Sequence, residues 1–133
     1  MAEIFVSHSQ RDEDVRRFFA NVFAGEYVAG TFVEFEKYQA PPWQYIEKTV
    51  NAARVVFVLL GPHVQELSYT RDWITWETGV ASQAARDIWV FEPFNQWCNI
   101  AISHVSHYVV YQQIPDATTY IKLIVKSYDD TLK

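Results

Sequence analysis

The chain opens on Glu3-Ile4-Phe5-Val6, a short apolar run that reads as a β-strand. Ser9-Gln10-Arg11-Asp12 follows with the form of a capping box, Ser9 standing at the N-cap. Val15, Phe18, Phe19, Val22 and Phe23 then recur at the spacing of one helix face, while Arg11, Asp12, Glu13, Asp14, Arg16 and Arg17 fill the other as a solvated surface. Thr31 to Phe35 reads as a second strand, and Pro41-Pro42 makes the stretch from Glu36 a loop, because neither ring fits a strand ladder or a helix interior. Ile46, Val50 and Ala53 mark the inner face of a second helix. Val55-Val56-Phe57-Val58-Leu59-Leu60 is apolar at every position, as a parallel strand covered on both sides must be, and Gly61-Pro62 stops it.

The alternation continues to the end of the chain. A helix is predicted over 72–85, a strand at Ile88-Trp89-Val90-Phe91, and another at Tyr108-Val109-Val110-Tyr111. Asp116 to Tyr128 closes as a helix with Tyr120, Ile121, Ile124, Val125 and Tyr128 as its apolar stripe. No repeat, low-complexity tract or linker interrupts this order. Strands alternating with helices through short connections imply an α/β fold: a flavodoxin-like three-layer sandwich with about five parallel strands and helices on both faces. In such sheets ligands gather beyond the carboxyl ends of the strands, where the strand order reverses. That rule points to Ser7–Gln10, Glu36–Trp43 and Gly61–Trp73.

Composition narrows the class. With 133 residues, half of them hydrophobic and 17% aromatic, the chain fits one domain, 1–133, with its own core. The net charge of -5 and the scattering of the eleven Lys and Arg argue against nucleic acid as a partner, since duplex binding draws on a basic face. No apolar stretch approaches the roughly 20 residues of a membrane helix, and the opening run is too short for a signal peptide, so no membrane partner and a cytoplasmic location are expected. The one cysteine, Cys98, reads as a small core hydrophobe.

One position breaks the pattern. On the helix over 72–85, Trp73, Glu77, Val80, Ala81 and Ala84 share a face, four apolar residues and one carboxylate. A buried unpaired charge costs several kcal/mol. Either Glu77 sits at the helix edge, satisfied by Arg71 or water near the favourable N-terminal dipole, or it is kept for chemistry.

Four segments in order then resemble the Toll/interleukin-1 receptor (TIR) domain family. Ile4-Phe5-Val6-Ser7-His8-Ser9 is similar to its first box, and Phe35 to Trp43 occupies the place of its mobile loop. Ala53 to Pro62 resembles the segment that follows, and Trp73-Ile74-Thr75-Trp76-Glu77 with Gly79 and Ala81 resembles the tryptophan-to-glutamate motif of its third helix. The similarity covers roughly the first 90 residues. It departs at Pro41-Pro42, where the family has Gly, and after the fourth strand, at Phe91 to Trp97.

The resemblance implies either an NAD-cleaving enzyme, with immune or antiviral signalling as its setting, or a non-catalytic module that self-associates. It carries over Glu77 as the catalytic glutamate and Trp73 as the tryptophan near nicotinamide. Trp43 becomes an aromatic lining the nucleotide site, Lys37 and Glu34 polar residues at the mouth of the loop, and Ser9 and Gln10 ligand-facing positions after the first strand. NAD is then substrate rather than cofactor, and no metal is required. Nicotinamide is a cationic leaving group, so a carboxylate can stabilise the oxocarbenium-like ribose left behind, and an aromatic face can stack on the pyridinium for about 0.5–2 kcal/mol.

A third reading comes from the nucleoside deoxyribosyltransferases. That family is similar in its alternating fold and in a helix carrying Glu followed by Gly and Ala, as in Trp76-Glu77-Thr78-Gly79-Val80-Ala81, and its glutamate is a nucleophile on a deoxyribose. Among the remaining residues, His8 has ligand contact as one reading and a surface or loop position as the other. Glu92 and Asn95, near the carboxyl end of the fourth strand, have reach into the site as one reading and solvated loop as the favoured one, and His63 reads as exposed loop. His104 and His107, three apart beside a strand, point to opposite faces and share no metal.

Overall fold

The computed structural model describes residues 1–9, 12–34, 43–62, 79–81, 84, 86–93 and 105–132. Five strands are present: β1 Ala2–His8, β2 Val28–Glu34, β3 Val55–Leu59, β4 Asp87–Glu92 and β5 His107–Val110. They form one sheet in the order β2-β1-β3-β4-β5, with every pairing parallel. The helices are α1 Glu13–Phe23, α2 Trp43–Ala52 and α3 Ala117–Lys126. Residues 79–81 are helical as well and lead through 84 into β4. The fold is therefore the flavodoxin-like α/β sandwich, with helices packed on both faces.

Strand parity sorts the core. Ile4, Val6, Val55, Phe57, Leu59, Phe91 and Val109 point to the face covered by Val15, Phe19, Val22 and Phe23 of α1 and by Ile121, Ile124 and Val125 of α3. Residues of opposite parity, Phe5, Val56, Val58, Ile88 and Val90, are equally enclosed on the second face, where Val50, Ala53 and Ala81 are also buried. This is why β3 has no polar position in its run. On the first face the rings interlock: Phe19 meets Phe91 edge-on with centroids 5.0 Å apart, and Phe91 meets Phe57 at 4.9 Å. Each such ring contributes about 1.5–3 kcal/mol by burial, and edge-to-face pairs add about 0.5–1.5 kcal/mol more.

The structure moves three predicted boundaries. α1 begins at Glu13 with Asp12 at its N-cap, so Ser9 is not the cap; instead the Asp12 N–H donates to the Ser9 carbonyl at 3.1 Å, closing a turn between β1 and the helix. Ser9 itself is buried directly after the end of β1, ahead of that turn. Tyr111, predicted in the last strand, lies in a 3-10 turn, Tyr111–Gln113, because the chain must bend there to reach α3. β2 starts earlier than predicted, at Val28, since a parallel register pairs the whole length from Ala2↔Val28 to His8↔Glu34. α1 ends where the sequence places a glycine: Gly25, at φ +79, adopts the left-handed conformation that closes a helix.

Candidate functional site

The chain runs from β1 outward to β2 and then returns to β3 on the other side of β1, so the strand order reverses between β1 and β3. The carboxyl ends there are Ser7-His8-Ser9, inside the selected segment Ser7–Gln10, and Leu59-Leu60-Gly61, whose last residue opens the selected segment Gly61–Trp73. Ser7, His8 and Ser9 are all fully buried, and Asp12 is 4% exposed. This is a concentration of enclosed polar groups at the crest of a sheet otherwise built from aliphatic and aromatic side chains.

Asp12 lies over Gly61. A Cβ at Gly61 would stand 2.2 Å from the Asp12 Cγ and 2.3 Å from its Oδ2, so only glycine leaves room for the carboxyl group between the ends of β1 and β3. Tyr111 is nearby, 3% exposed, stacked on Phe18 at 4.9 Å and edge-on to Phe19 at 5.6 Å. Its hydroxyl is pushed up to about 12, first by burial and then by the negative charge of Asp12. The α1 face thus holds, close enough to feel each other's charge, the carboxyl group of Asp12 and a phenol kept in its neutral form.

The opposite face carries a second carboxyl group. Glu92, the last residue of β4, is 2% exposed and accepts a hydrogen bond at 2.7 Å from the hydroxyl of Tyr108, itself 52% exposed. Burial raises the Glu92 pKa above the usual carboxylate range, and the Tyr108 hydrogen bond opposes that shift in part. Backbone bonds from Leu60 N–H to the Phe91 carbonyl at 2.9 Å and from Gln112 N–H to the Pro93 carbonyl at 3.1 Å hold the ends of β3, β4 and the turn after β5 together around it.

The predicted site residues distribute unevenly. His8 is the end of β1, on the α1 face, with its ring edge-on to Phe32 at 5.5 Å; it is a buried strand residue and not a surface or loop histidine. Ser9 follows it and is enclosed. Glu34 closes β2 beside His8 in the register, and Trp43 opens α2. The structure therefore brings His8, Ser9 and the end of β2 to one edge of the crest. Gln10, Lys37, Trp73 and Glu77 lie outside the described residues, as do His63, Asn95, Cys98 and His104. Asp12, read in the sequence as exposed helix surface, is enclosed, and Glu92, for which solvated loop was favoured over reach into the site, is buried. The signal for Glu92 was its place directly after the apolar run Ile88 to Phe91, which period-two counting extends by one position onto the face of Val90.

In fold the chain is similar to a 2-deoxyribosyltransferase from the psychrotolerant bacterium Bacillus psychrosaccharolyticus, at 16% identity and a TM-score of 0.58, over 98% of this chain and 95% of that one. It is also similar to a response regulator in red-light signalling of R. palustris, at 14% identity and a TM-score of 0.56, over 96% of this chain and 90% of that one. No family model and no curated protein matches the chain, so the TIR resemblance is carried by its residues alone. At these identities the two structures establish a shared architecture.

Proposed function

We propose that this chain breaks the N-glycosidic bond of a nucleoside and passes the sugar to another base, as a deoxyribosyltransferase-like enzyme, with Glu77 as the carboxylate that receives the sugar. The observation that carries this reading is the likeness to a 2-deoxyribosyltransferase over nearly the full length of both chains. It is joined by the Glu77-Thr78-Gly79-Val80-Ala81 sequence, whose last three residues are helical and whose Ala81 is fully buried. Gly79 has no atom within 4 Å of where a Cβ would stand, so it leaves open space beside the helix two residues after Glu77.

The chemistry is a double displacement. The Glu77 carboxylate attacks the anomeric carbon, the base departs with the bonding electron pair, and a glycosyl ester remains. A second base attacks the same carbon, and the carboxylate leaves. Holding both bases in turn at one site converts exchange in solution into a reaction between bound partners.

A second reading, NAD glycohydrolysis, is favoured by Trp73, four residues before Glu77 in the sequence, an aromatic residue of the kind that stacks on a cationic pyridinium. Both readings break an N-glycosidic bond at the same carboxylate and differ in what leaves. Incubation with thymidine and adenine, and in parallel with NAD, separates them by chromatography. The proposal predicts deoxyadenosine from the first mixture and its loss in Glu77→Gln. Nicotinamide from the second mixture without base exchange would establish the NAD reading instead, and neither product from folded protein overturns both.

A further inference from the structure

We infer that Glu92 is the general acid and base of this site, giving a proton to the departing base and taking one from the incoming base. The inference rests on the proposed function and specifies a second carboxyl group for it. Glu92 has the placement that role requires. It ends β4 at the carboxyl edge of the sheet, where ligands of this architecture collect, and it belongs to the same strand-helix-strand unit that carries Glu77 ahead of helical residues 79–81. It is 2% exposed, and one oxygen is anchored by the Tyr108 hydroxyl at 2.7 Å. The other carboxyl oxygen is then the one that carries the transferable proton. A tyrosine that is half exposed on one side and bonded to a buried carboxyl group on the other links the group to the surface of the crest.

The chemistry supplies the reason. A nucleobase leaving a neutral nucleoside departs as an anion unless it is protonated. The proton on Glu92 moves to a ring nitrogen as the glycosidic bond breaks, and Glu92 is left ionised. In the second half the incoming base loses a proton to Glu92 as it bonds to the anomeric carbon, which restores the acid. Protons and electron pairs balance over the cycle with no further reactant. Nicotinamide, by contrast, leaves NAD already neutral and needs no acid, so a carboxyl group in its protonated form suits the nucleoside substrate better than the dinucleotide. Burial favours that form here, since the charged carboxylate is poorly solvated. Among the described residues, Tyr108 is the titratable group facing Glu92 from β5; Leu60, just after β3, bonds to the neighbouring Phe91 carbonyl, and Asp12 and Tyr111 lie on the α1 face of the sheet.

The test compares wild type with Glu92→Gln on two substrates, the thymidine–adenine exchange and hydrolysis of p-nitrophenyl 2-deoxyriboside, whose leaving group needs no proton. Glu92→Gln should slow exchange by about 100-fold or more, change nitrophenol release by less than about threefold, and remove the fall in kcat/KM at high pH. Tyr108→Phe keeps the acid but removes the bond that favours its ionised form, so that fall should move to higher pH. Circular dichroism and thermal melting establish that each variant is folded. Equal loss on both substrates, or an unchanged high-pH limb in Glu92→Gln or Tyr108→Phe, overturns the inference. Full exchange by Glu92→Gln with none by Glu77→Gln overturns it while leaving the proposed function standing. No exchange by folded wild type overturns both.

Discussion

The closest fit at the crest is between Gly61 and Asp12. A methyl group at Gly61 would fall 2.2 Å from the Asp12 Cγ, and Asp12 is held at the N-cap of α1 by its own backbone bonds to Ser9 and Arg16. The side chain is short and enclosed, so it has little freedom to swing aside. Gly61→Ala should therefore cost about 1–3 kcal/mol in chemical denaturation, the usual penalty of overpacking. If the Asp12 carboxyl group is the obstacle, the same substitution should cost at least about 0.5 kcal/mol less in an Asp12→Ala background, a coupling that distant residues do not show. Additive costs would place the strain elsewhere. The sequence carried half of this contact: Gly61 was legible as a strand stop, but its partner is 49 positions away, and nothing in the run from Ser9 to Arg17 separates one enclosed aspartate from five solvated charges. Glu92 was legible in the same half measure: its place after the apolar run from Ile88 is in the sequence, but its bond to Tyr108 of the neighbouring strand is a contact that local pattern cannot contain.

Helix α3 shows what local pattern does contain. Asp116 at its start and the stripe Ile121, Ile124 and Val125 were read from spacing, and all three apolar residues are buried against the sheet. Asp116 is the N-cap in a left-handed conformation at φ 51, and its side chain accepts from the Thr119 amide at 3.4 Å and hydroxyl at 2.8 Å. The stripe was drawn too wide only at Tyr120, which is 42% exposed; Leu123, left off the stripe, is 62% exposed. Ile121→Ala should then cost about 2–5 kcal/mol by cavity formation, whereas Leu123→Ala should stay within about 0.5 kcal/mol of wild type. Thermal denaturation of the two variants checks the orientation of the helix, and similar losses would mean that it is rotated. The strands were legible because both faces of the sheet are covered, so their runs are apolar without interruption. Their ends were less so, because pairing with a neighbour, not composition, decides where a parallel strand stops.

For the molecule as a whole, architecture and activity separate. The fold is similar to that of a deoxyribosyltransferase and of a response regulator at nearly equal TM-scores, 0.58 and 0.56, so the architecture locates a site without deciding its chemistry. What distinguishes this chain is the polar content of its crest: Ser7, His8, Ser9 and Asp12 around the strand reversal, Glu92 with Tyr108 at the next strand, and Glu77 in the sequence that joins β3 to β4. The spacing of Trp73, Glu77, Val80, Ala81 and Ala84 singles out Glu77 in the sequence without any relative, and Glu77 itself lies outside the described residues. The claim that joins these features is that the sugar passes through an ester on Glu77. Intact-protein and peptide mass spectrometry after incubation with a 2-deoxy-2-fluoroarabinosyl nucleoside, whose fluorine slows breakdown of such an ester, tests it directly. The account predicts one glycosyl adduct on the peptide containing Glu77, discharged by added base and missing from Glu77→Gln. An adduct of equal yield in Glu77→Gln, or none in folded wild type, would contradict it.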